Sequence, residues 1–316
     1  MFAILFVVAG LCQTPTFQAG TRVVEINIAA THSGQPVTDL RAEDLRVFDN
    51  GKEQTIASFE RIGNAAASGG TKAPQLAVIL LDAQNTSFSD QVYGREGVTK
   101  MLARLPLGQR IALFAFGDKL HLLHKISTDY DSLREAVEEY GGEQPMNWKP
   151  EINKEAVRRY SEMDAFDERR RILATLDALT DLTDWAKNVP GQKKLVWVSA
   201  AFPVRFASED YHQDVERVMQ KLVAANTTLF PVSPQGLKTI HAESMMELAE
   251  LTGGTVFKDS NDTASLVRGA MDEWSDGYLL TFVPTDNQQN GEFHDVRLKT
   301  TRRGVELRYR LGYAAK

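Results

Sequence analysis

Apolar and polar residues alternate strictly near both ends of the chain. The alternation covers 24–28 and returns over 305–309. A period of two predicts strands with one buried face and one face in water. An Asn-Gly pair at 50–51 lies between the apolar runs 45–48 and 56–59, and Asn-Gly favours a type I′ hairpin because both central residues need positive φ. A lone hairpin cannot bury a face, so these segments need further strands.

The middle of the chain has another pattern, in which short unbroken apolar runs alternate with segments of helical period. The run 76–81 ends abruptly at Asp82. Such runs predict strands buried on both faces of a parallel sheet, and their alternation with helices predicts an α/β domain. The predicted strands are 76–81, 110–116, 120–123, 195–199, 228–232 and 255–257, and the predicted helices are 92–105, 129–140, 211–225, 244–251 and 263–274.

A long excursion over 143–190 interrupts this alternation. Its second half has leucines at helical spacing that can pack on the sheet, whereas 151–171 is rich in charge and poor in apolar residues. Charge of this density is typical of a solvated helix, which we favour over a partner-binding arm.

The pattern predicts two folding units. Strands at 278–283, 292–299 and 305–309 follow the α/β pattern, and neither end of the chain is sufficient alone. We therefore expect 20–62 and 277–316 to form one small β-sandwich that carries the α/β domain, 74–276, as an insertion. The small and polar stretch 63–73 is the predicted linker.

The first residues, 1–11, form an apolar run that is too short to cross a bilayer as a helix. The run is typical of a secretory signal peptide over 1–19, although no Lys or Arg precedes it. Lipidation at Cys12 ranks second, since Leu11 is not small. A buried N-terminal strand of a cytosolic protein is the alternative. Because Cys12 is the chain's one cysteine, the mature protein would have none, which suits a periplasmic or secreted protein without disulfides.

Composition narrows the function classes. The chain has 316 residues, of which 43% are hydrophobic and 25% charged, as in an ordinary globular protein. A net charge of −6 argues against nucleic acid as the partner. The sequence has no Gly-x-Ser-x-Gly, no Gly-rich phosphate loop and no zinc-type histidine spacing, because His121 and His124 point to opposite faces of a predicted strand.

Several motifs occur in an order that resembles von Willebrand factor type A (VWA) domains. More closely, they resemble the VWFA-related proteins catalogued in Acidobacteria. The α/β part contributes LAVILLD, RIALFAFGD, LVWVS, TLFPV and a Leu-Ala-x-x-Thr-Gly-Gly segment. The flanks contribute GQPVTDLRAEDL over 34–45, DNGK over 49–52, KKLVWVSAAFP over 193–203, YLLTFVP over 278–284 and Gly312-Tyr313. The resemblance implies a Rossmann-like VWA domain with a mainly parallel sheet.

VWA domains commonly hold a divalent cation through Asp-x-Ser-x-Ser, a later Thr and an Asp after the fourth strand. In this sequence Asp82 matches the first position, while Gln84 and Thr86 replace the two serines. The Thr loop corresponds to 143–145 (Glu-Gln-Pro), and 199–201 (Ser-Ala-Ala) lacks the second Asp. With one firm carboxylate, the resemblance implies no resident cofactor, a vestigial site and at most weak binding of Mg²⁺ or another divalent cation.

Three functions remain open. The first is a non-enzymatic, exported module that grips a protein partner with its top loops, meaning the loops at the carboxyl edge of the sheet. The second is a metal-free scaffold of the same type, anchored by Phe88, Phe202 and Phe206 unless these rings pack beneath the excursion. The third is a haloacid-dehalogenase-like phosphatase with Asp82 as nucleophile and with Thr86 and Ser199 in place. Gln84 argues against it, because it stands where the acid/base Asp should be and cannot shuttle a proton.

Overall fold

A computed structural model describes residues 23–62, 76–143, 161–202, 205–206, 209–237, 242–273, 277–286 and 292–315. The predicted signal segment, the predicted linker and 144–160 of the excursion lie outside the described residues. The strands are β1 (Val24–His32), β2 (Gln35–Pro36), β3 (Leu45–Asp49), β4 (Lys52–Gln54), β5 (Ile56–Ile62), β6 (Leu76–Asp82), β7 (Arg110–Phe116), β8 (Leu120–Ser127), β9 (Lys193–Val198), β10 (Arg205–Phe206), β11 (Glu209–Asp210), β12 (Thr227–Val232), β13 (Gly277–Phe282), β14 (Phe293–Thr300), β15 (Val305–Tyr309) and β16 (Gly312–Ala314). The helices are α1 (Phe88–Leu102), α2 (Tyr130–Glu139), α3 (Ser161–Ala186), α4 (His212–Ala224), α5 (Ala242–Thr252) and α6 (Thr263–Asp272), with a short 3₁₀ helix at Ala42–Asp44.

The central sheet has the strand order β12-β9-β6-β7-β8. All neighbours in it are parallel except β8, which runs antiparallel to β7 at the edge. The mainly parallel α/β sheet predicted from the apolar runs is therefore confirmed. The predicted strand 255–257 is wrong, since Phe257 makes only an isolated parallel bridge to Val232 beyond the other edge.

Side chains along each strand point alternately to the two faces of this sheet, and three helices cover each face. On one face α1, α2 and α6 pack over Ile79, Leu113 and Phe230. On the other face α3, α4 and α5 pack over Leu80, Phe114 and Trp197 in a second buried cluster. Burial on both faces explains why these strands read as unbroken apolar runs.

Two further sheets are built from both ends of the chain. One has the order β15-β1-β13-β5, with β2 also paired to β1, and the other has the order β16-β14-β3-β4. Buried side chains of both sheets, including Ile26, Val47, Leu280 and Val296, belong to one apolar cluster. Strands from the two ends therefore pair with each other. The sandwich architecture of these flanks and the domain boundaries stay predictions.

The predicted turn at 50–51 closes a hairpin in which Asn50 has φ +46° and Gly51 has φ +78°. Its second arm is the short β4 and not the apolar run 56–59. That run belongs to β5, which leaves for the other sheet and pairs with β13.

Helix α1 begins four residues earlier than the apolar period predicts. Ser87 caps it, since its hydroxyl oxygen accepts a hydrogen bond from the Asp90 backbone N–H over 3.2 Å. The first turn has one apolar residue, the exposed Phe88, followed by three polar ones, so apolar periodicity could not reveal this start. Among the described residues, no helix combines the length and the apolar character needed to cross a membrane.

Candidate functional site

Asp82 is the last residue of β6, the middle strand of the central sheet. It pairs with Phe116 at the end of β7, and the neighbouring β9 ends level with it. The carboxyl ends of parallel strands form the edge at which α/β proteins bind ligands. Asp82 itself is only 2% exposed, so its carboxylate lies buried beneath the surface of this edge.

The carboxylate of Asp82 accepts four hydrogen bonds from its own chain. Oδ1 accepts from the Asn85 backbone N–H over 2.9 Å. Oδ2 accepts from Asn85 Nδ2 over 2.9 Å, from Trp197 Nε1 over 3.0 Å and from Ser199 Oγ over 2.8 Å. Both oxygens are therefore engaged by fixed donors on β9 and on the turn after β6.

Burial and hydrogen bonding act on this group in opposite directions. Desolvation raises the pKa of Asp82 above its ordinary value, and the donors from Asn85, Ser199 and Trp197 oppose that rise. No cationic side chain appears among these influences on the pKa of Asp82. Among the described residues, the neutral donors of Asn85, Ser199 and Trp197 are what oppose the cost of burying this charge.

Gln84 and Thr86 lie in the same turn as Asp82 and are both buried. The Gln84 backbone N–H donates to the Phe116 carbonyl over 3.1 Å. Thr86 Oγ1 accepts from the Ala200 backbone N–H over 3.1 Å, which ties this turn to the end of β9. The next residue, Ser87, caps α1.

Gln91 joins the turn after β6 to the segment after α2. Its Nε2 donates to the carbonyls of Ala83, Thr86 and Glu143 over 3.2, 3.0 and 2.8 Å, and its Oε1 accepts from the Glu143 backbone N–H over 3.1 Å. The side chain is buried on the first turns of α1. Glu143, where VWA domains place the Thr loop, is thus held close to Thr86 by a neutral amide.

A small, partly open cleft lies beside these residues. Burial lowers the pKa of Arg95 in the cleft, and Arg95 Nη1 has no hydrogen-bond partner among the described residues. Burial raises the pKa of Tyr140, and the nearby Glu143 carboxylate raises it further. The polar side chains that line the cleft are Asp82, Thr86, Asp90, Gln91, Arg95 and Tyr140.

The three phenylalanines predicted as surface anchors do not share one environment. Phe88 begins α1 and is 38% exposed. Phe202 is fully buried, packs with its ring centroid 6.1 Å from that of Trp197 and shares a cluster with α3. Its predicted exposure is wrong, because the ring is buried in the apolar cluster that α3, α4 and α5 form over this face of the sheet. Phe206 lies on β10, and its side chain falls outside the described part.

One polar cluster escaped the sequence analysis. Single ligand atoms of Asp118, His121 and Glu143 all lie within 4.8 Å of one another. Histidine spacing could not reveal this cluster, because it joins one imidazole to carboxylates from two separate segments of the chain. The Gly117-Asp118 turn before His121 is the sequence signal that could have suggested two of the three.

Solved structures similar to this chain include von Willebrand factor type A from Catenulispora acidiphila. It is 12% identical with a TM-score of 0.42, over 87% of this chain and 75% of that one. An aerotolerance-related membrane protein from Bacteroides fragilis is 12% identical with a TM-score of 0.40, over 63% and 98% of the two chains. The conserved hypothetical protein BatB from Bacteroides thetaiotaomicron is 8% identical with a TM-score of 0.37, over 65% and 99%.

The structural neighbours thus include a VWA protein, the family that the sequence motifs resemble. No family model and no curated protein matches the sequence. Likeness at these identities describes fold and carries no partner or activity. The description of the α/β fold rests on the strand order and its antiparallel edge strand.

Proposed function

We propose that this protein is an exported, non-enzymatic binding module or scaffold of VWA type, which holds a protein partner with its top loops. Here these loops are 83–87, 117–119, 141–143 and 199–202. The fold supports the proposal because it brings the loops together at the carboxyl edge of a parallel sheet, where α/β proteins bind their ligands. Export follows from the signal-like segment 1–19, and the flanking sheets would form the β-sandwich that carries the module.

The observation that carries this proposal is the set of four donors on the Asp82 carboxylate. A hard cation needs carboxylate oxygens that are free to coordinate it. The oxygen atoms at this position fit such a cation poorly. Thr86 Oγ1 already accepts a hydrogen bond from the Ala200 backbone N–H, and 199–201 adds no carboxylate. We therefore propose that the VWA-type metal site is degenerate and that the partner binds there without Mg²⁺.

The partner would contact what the top loops expose beside this closed centre. Phe88 offers an apolar ring at the start of α1, and the cleft next to it contains Arg95 and Asp90. Arg95 Nη1 is buried, which leaves the half-buried Asp90 carboxylate as the polar group of the cleft that a bound protein can reach. An apolar contact beside a directional polar one is the arrangement that gives specific protein recognition.

The phosphatase alternative is not favoured. A nucleophilic carboxylate must reach phosphorus, whereas Asp82 is buried beneath Trp197 and Ser199, both of which donate to it. Gln84 also offers no acid/base group. Assays with p-nitrophenyl phosphate and Mg²⁺ should give no turnover above buffer. Turnover that disappears in Asp82→Asn would restore the alternative.

The test of the proposed surface is photo-crosslinking in cells that make the protein. Benzoylphenylalanine replaces Phe88 in one variant and Leu107 in the control, since Leu107 is 91% exposed on the loop at the opposite edge of the sheet. We expect a protein adduct from position 88 that position 107 does not give. Equal adducts from both positions, or none from position 88, would refute the top-loop surface. An adduct that chelation abolishes and Mg²⁺ restores would refute the degenerate metal site.

A further inference from the structure

Three side chains with metal-binding atoms meet at the edge of the sheet beyond the Asp82 centre. Asp118 lies in the turn between β7 and β8, His121 is the second residue of β8, and Glu143 follows α2. One ligand atom from each lies within 4.8 Å of the other two. Two carboxylates and one imidazole are a common donor set for divalent transition metals.

The spacing of the first two groups suits ligands of a single ion. His121 Nε2 and Asp118 Oδ1 lie 3.1 Å apart. Two ligand atoms at that separation, each about 2.05 Å from a metal, subtend an angle of about 100° at it, between octahedral and tetrahedral values.

Glu143 is held in place by residues outside the cluster. Gln91 fixes its backbone through both the N–H and the carbonyl, and the Tyr140 hydroxyl donates to Glu143 Oε1 over 3.2 Å. The carboxylate lies directly over Gly117, where an added Cβ would be 1.8 Å from Oε2. The carboxylate therefore reaches the cluster only because position 117 has no side chain. Supports of this kind orient ligands in metal sites.

We propose that Asp118, His121 and Glu143 bind one divalent transition-metal ion, with Zn²⁺ as the ion of best fit. The imidazole favours Zn²⁺ over Mg²⁺ and Ca²⁺, which prefer oxygen ligands alone. The two carboxylates balance the charge of the ion. Three protein ligands leave a fourth position, and it faces solvent because the Asp118 side chain is 67% exposed. Water or a donor from a partner completes the coordination there.

This site is separate from the Asp82 centre, and its existence does not depend on the proposed function. Asp82 uses both carboxylate oxygens for its own hydrogen bonds and contributes no atom to the cluster. Zinc binding can therefore be present whether or not the top loops capture a protein without Mg²⁺. The two proposals fail in different experiments, one by metal titration and the other by crosslinking.

The test is a zinc titration of the full chain after chelator treatment, in competition with a chromogenic zinc indicator. We expect one Zn²⁺ per chain. His121→Ala and Glu143→Gln should weaken binding by more than tenfold, and Gly117→Ala should weaken it about 10- to 100-fold because its methyl group displaces the Glu143 carboxylate. X-ray absorption at the zinc edge should show one imidazole in the wild type.

Two matched variants separate the site from general effects. His124→Ala removes a histidine of the same strand that is not in the cluster, and Gly141→Ala adds a methyl group that would meet nothing within 4 Å. Both should bind zinc as the wild type does, and circular dichroism should show that every variant is folded. No zinc bound by the wild type at 100 μM (about the weak end of a specific site), or equal affinity in wild type and His121→Ala, would overturn the proposal.

Discussion

The indole Nε1 of Trp197 donates a hydrogen bond to Oδ2 of Asp82 over 3.0 Å, between two neighbouring parallel strands. Each group satisfies the hydrogen-bonding requirement of the other. A buried indole N–H needs an acceptor, and a buried carboxylate needs donors. The end of the sheet is therefore closed by a fixed polar contact at the edge where α/β proteins bind their ligands.

The pKa of Asp82 predicts a pH effect on stability. Its folded-state pKa is raised above the ordinary 3.8, so the folded chain binds this proton more tightly than the unfolded chain does. Stability from this group is then present at low pH and is lost as pH rises through the folded pKa. We expect the free energy of unfolding of the wild type to rise relative to that of Asp82→Asn as pH falls from about 7 towards 4. Urea unfolding at each pH measures the difference, and a parallel pH dependence in both proteins would contradict it.

Phe202 provides a test of the corrected site assignment. Its fully buried ring packs on Trp197 beneath α3, so Phe202→Ala should lower the free energy of unfolding by about 3–5 kcal/mol. Phe88→Ala, at an exposed ring, should change it by no more than about 0.5 kcal/mol. Equal and small effects in both variants would mean that Phe202 is not a core residue.

Gly254 should be intolerant of any side chain. A Cβ there would lie 1.8 Å from the Leu229 carbonyl oxygen on β12, and a backbone atom cannot move aside as a side chain can. We expect Gly254→Ala to destabilise the protein by about 3 kcal/mol or more. Gly141→Ala, which meets nothing within 4 Å, is the control. Thermal unfolding of the two variants tests the prediction, and similar melting temperatures would contradict it.

A buried polar cluster joins three strands of one terminal sheet. The Tyr313 hydroxyl donates to Asp49 Oδ2 over 2.6 Å, and His294 Nδ1 lies 2.8 Å from Asp49 Oδ1. Tyr313→Phe leaves that buried carboxylate one donor short, which should cost about 1–3 kcal/mol. Tyr93→Phe removes an exposed hydroxyl and should be near neutral. Chemical denaturation compares the two, and a neutral Tyr313→Phe would show that water replaces the lost donor.

The fold was largely predictable because its core strands carry unmistakable patterns. The run 76–81 is apolar at every position since helices cover both faces of β6, and the bounds predicted for β7 match those observed. Strand β16 was missed because three residues show no period. The start of α1 was missed because Phe88 is exposed, the next three residues are polar, and the Ser87 cap defines the first turn.

The site was less predictable than the fold, because its properties depend on which groups meet across the chain. Asp82 could be placed at the strand end from its own neighbours. Two of the four donors that engage its carboxylate come from Trp197 and Ser199, 115 and 117 residues away along the chain. The burial of Phe202 likewise depends on α3, and the approach of Glu143 to His121 depends on Gln91 and on the absence of a side chain at Gly117.

The pairing of β1 with β13 and β15 implies an order in which the sheets form while the chain is being synthesised. The paired residues lie 250 to 281 positions apart in the chain (Val24 with Phe282, for example), so the entropy of closing so long a loop delays their pairing. Before the ribosome has made 277–315, β1 can pair with the two-residue β2 but not with β13 or β15, and β3 can pair with β4 but not with β14. The apolar faces of these early strands then stay exposed until the C-terminal strands are made, and exposed apolar strands are prone to aggregation. The central sheet, whose partners are all closer in sequence, is free to fold first and brings the late strands to the early ones.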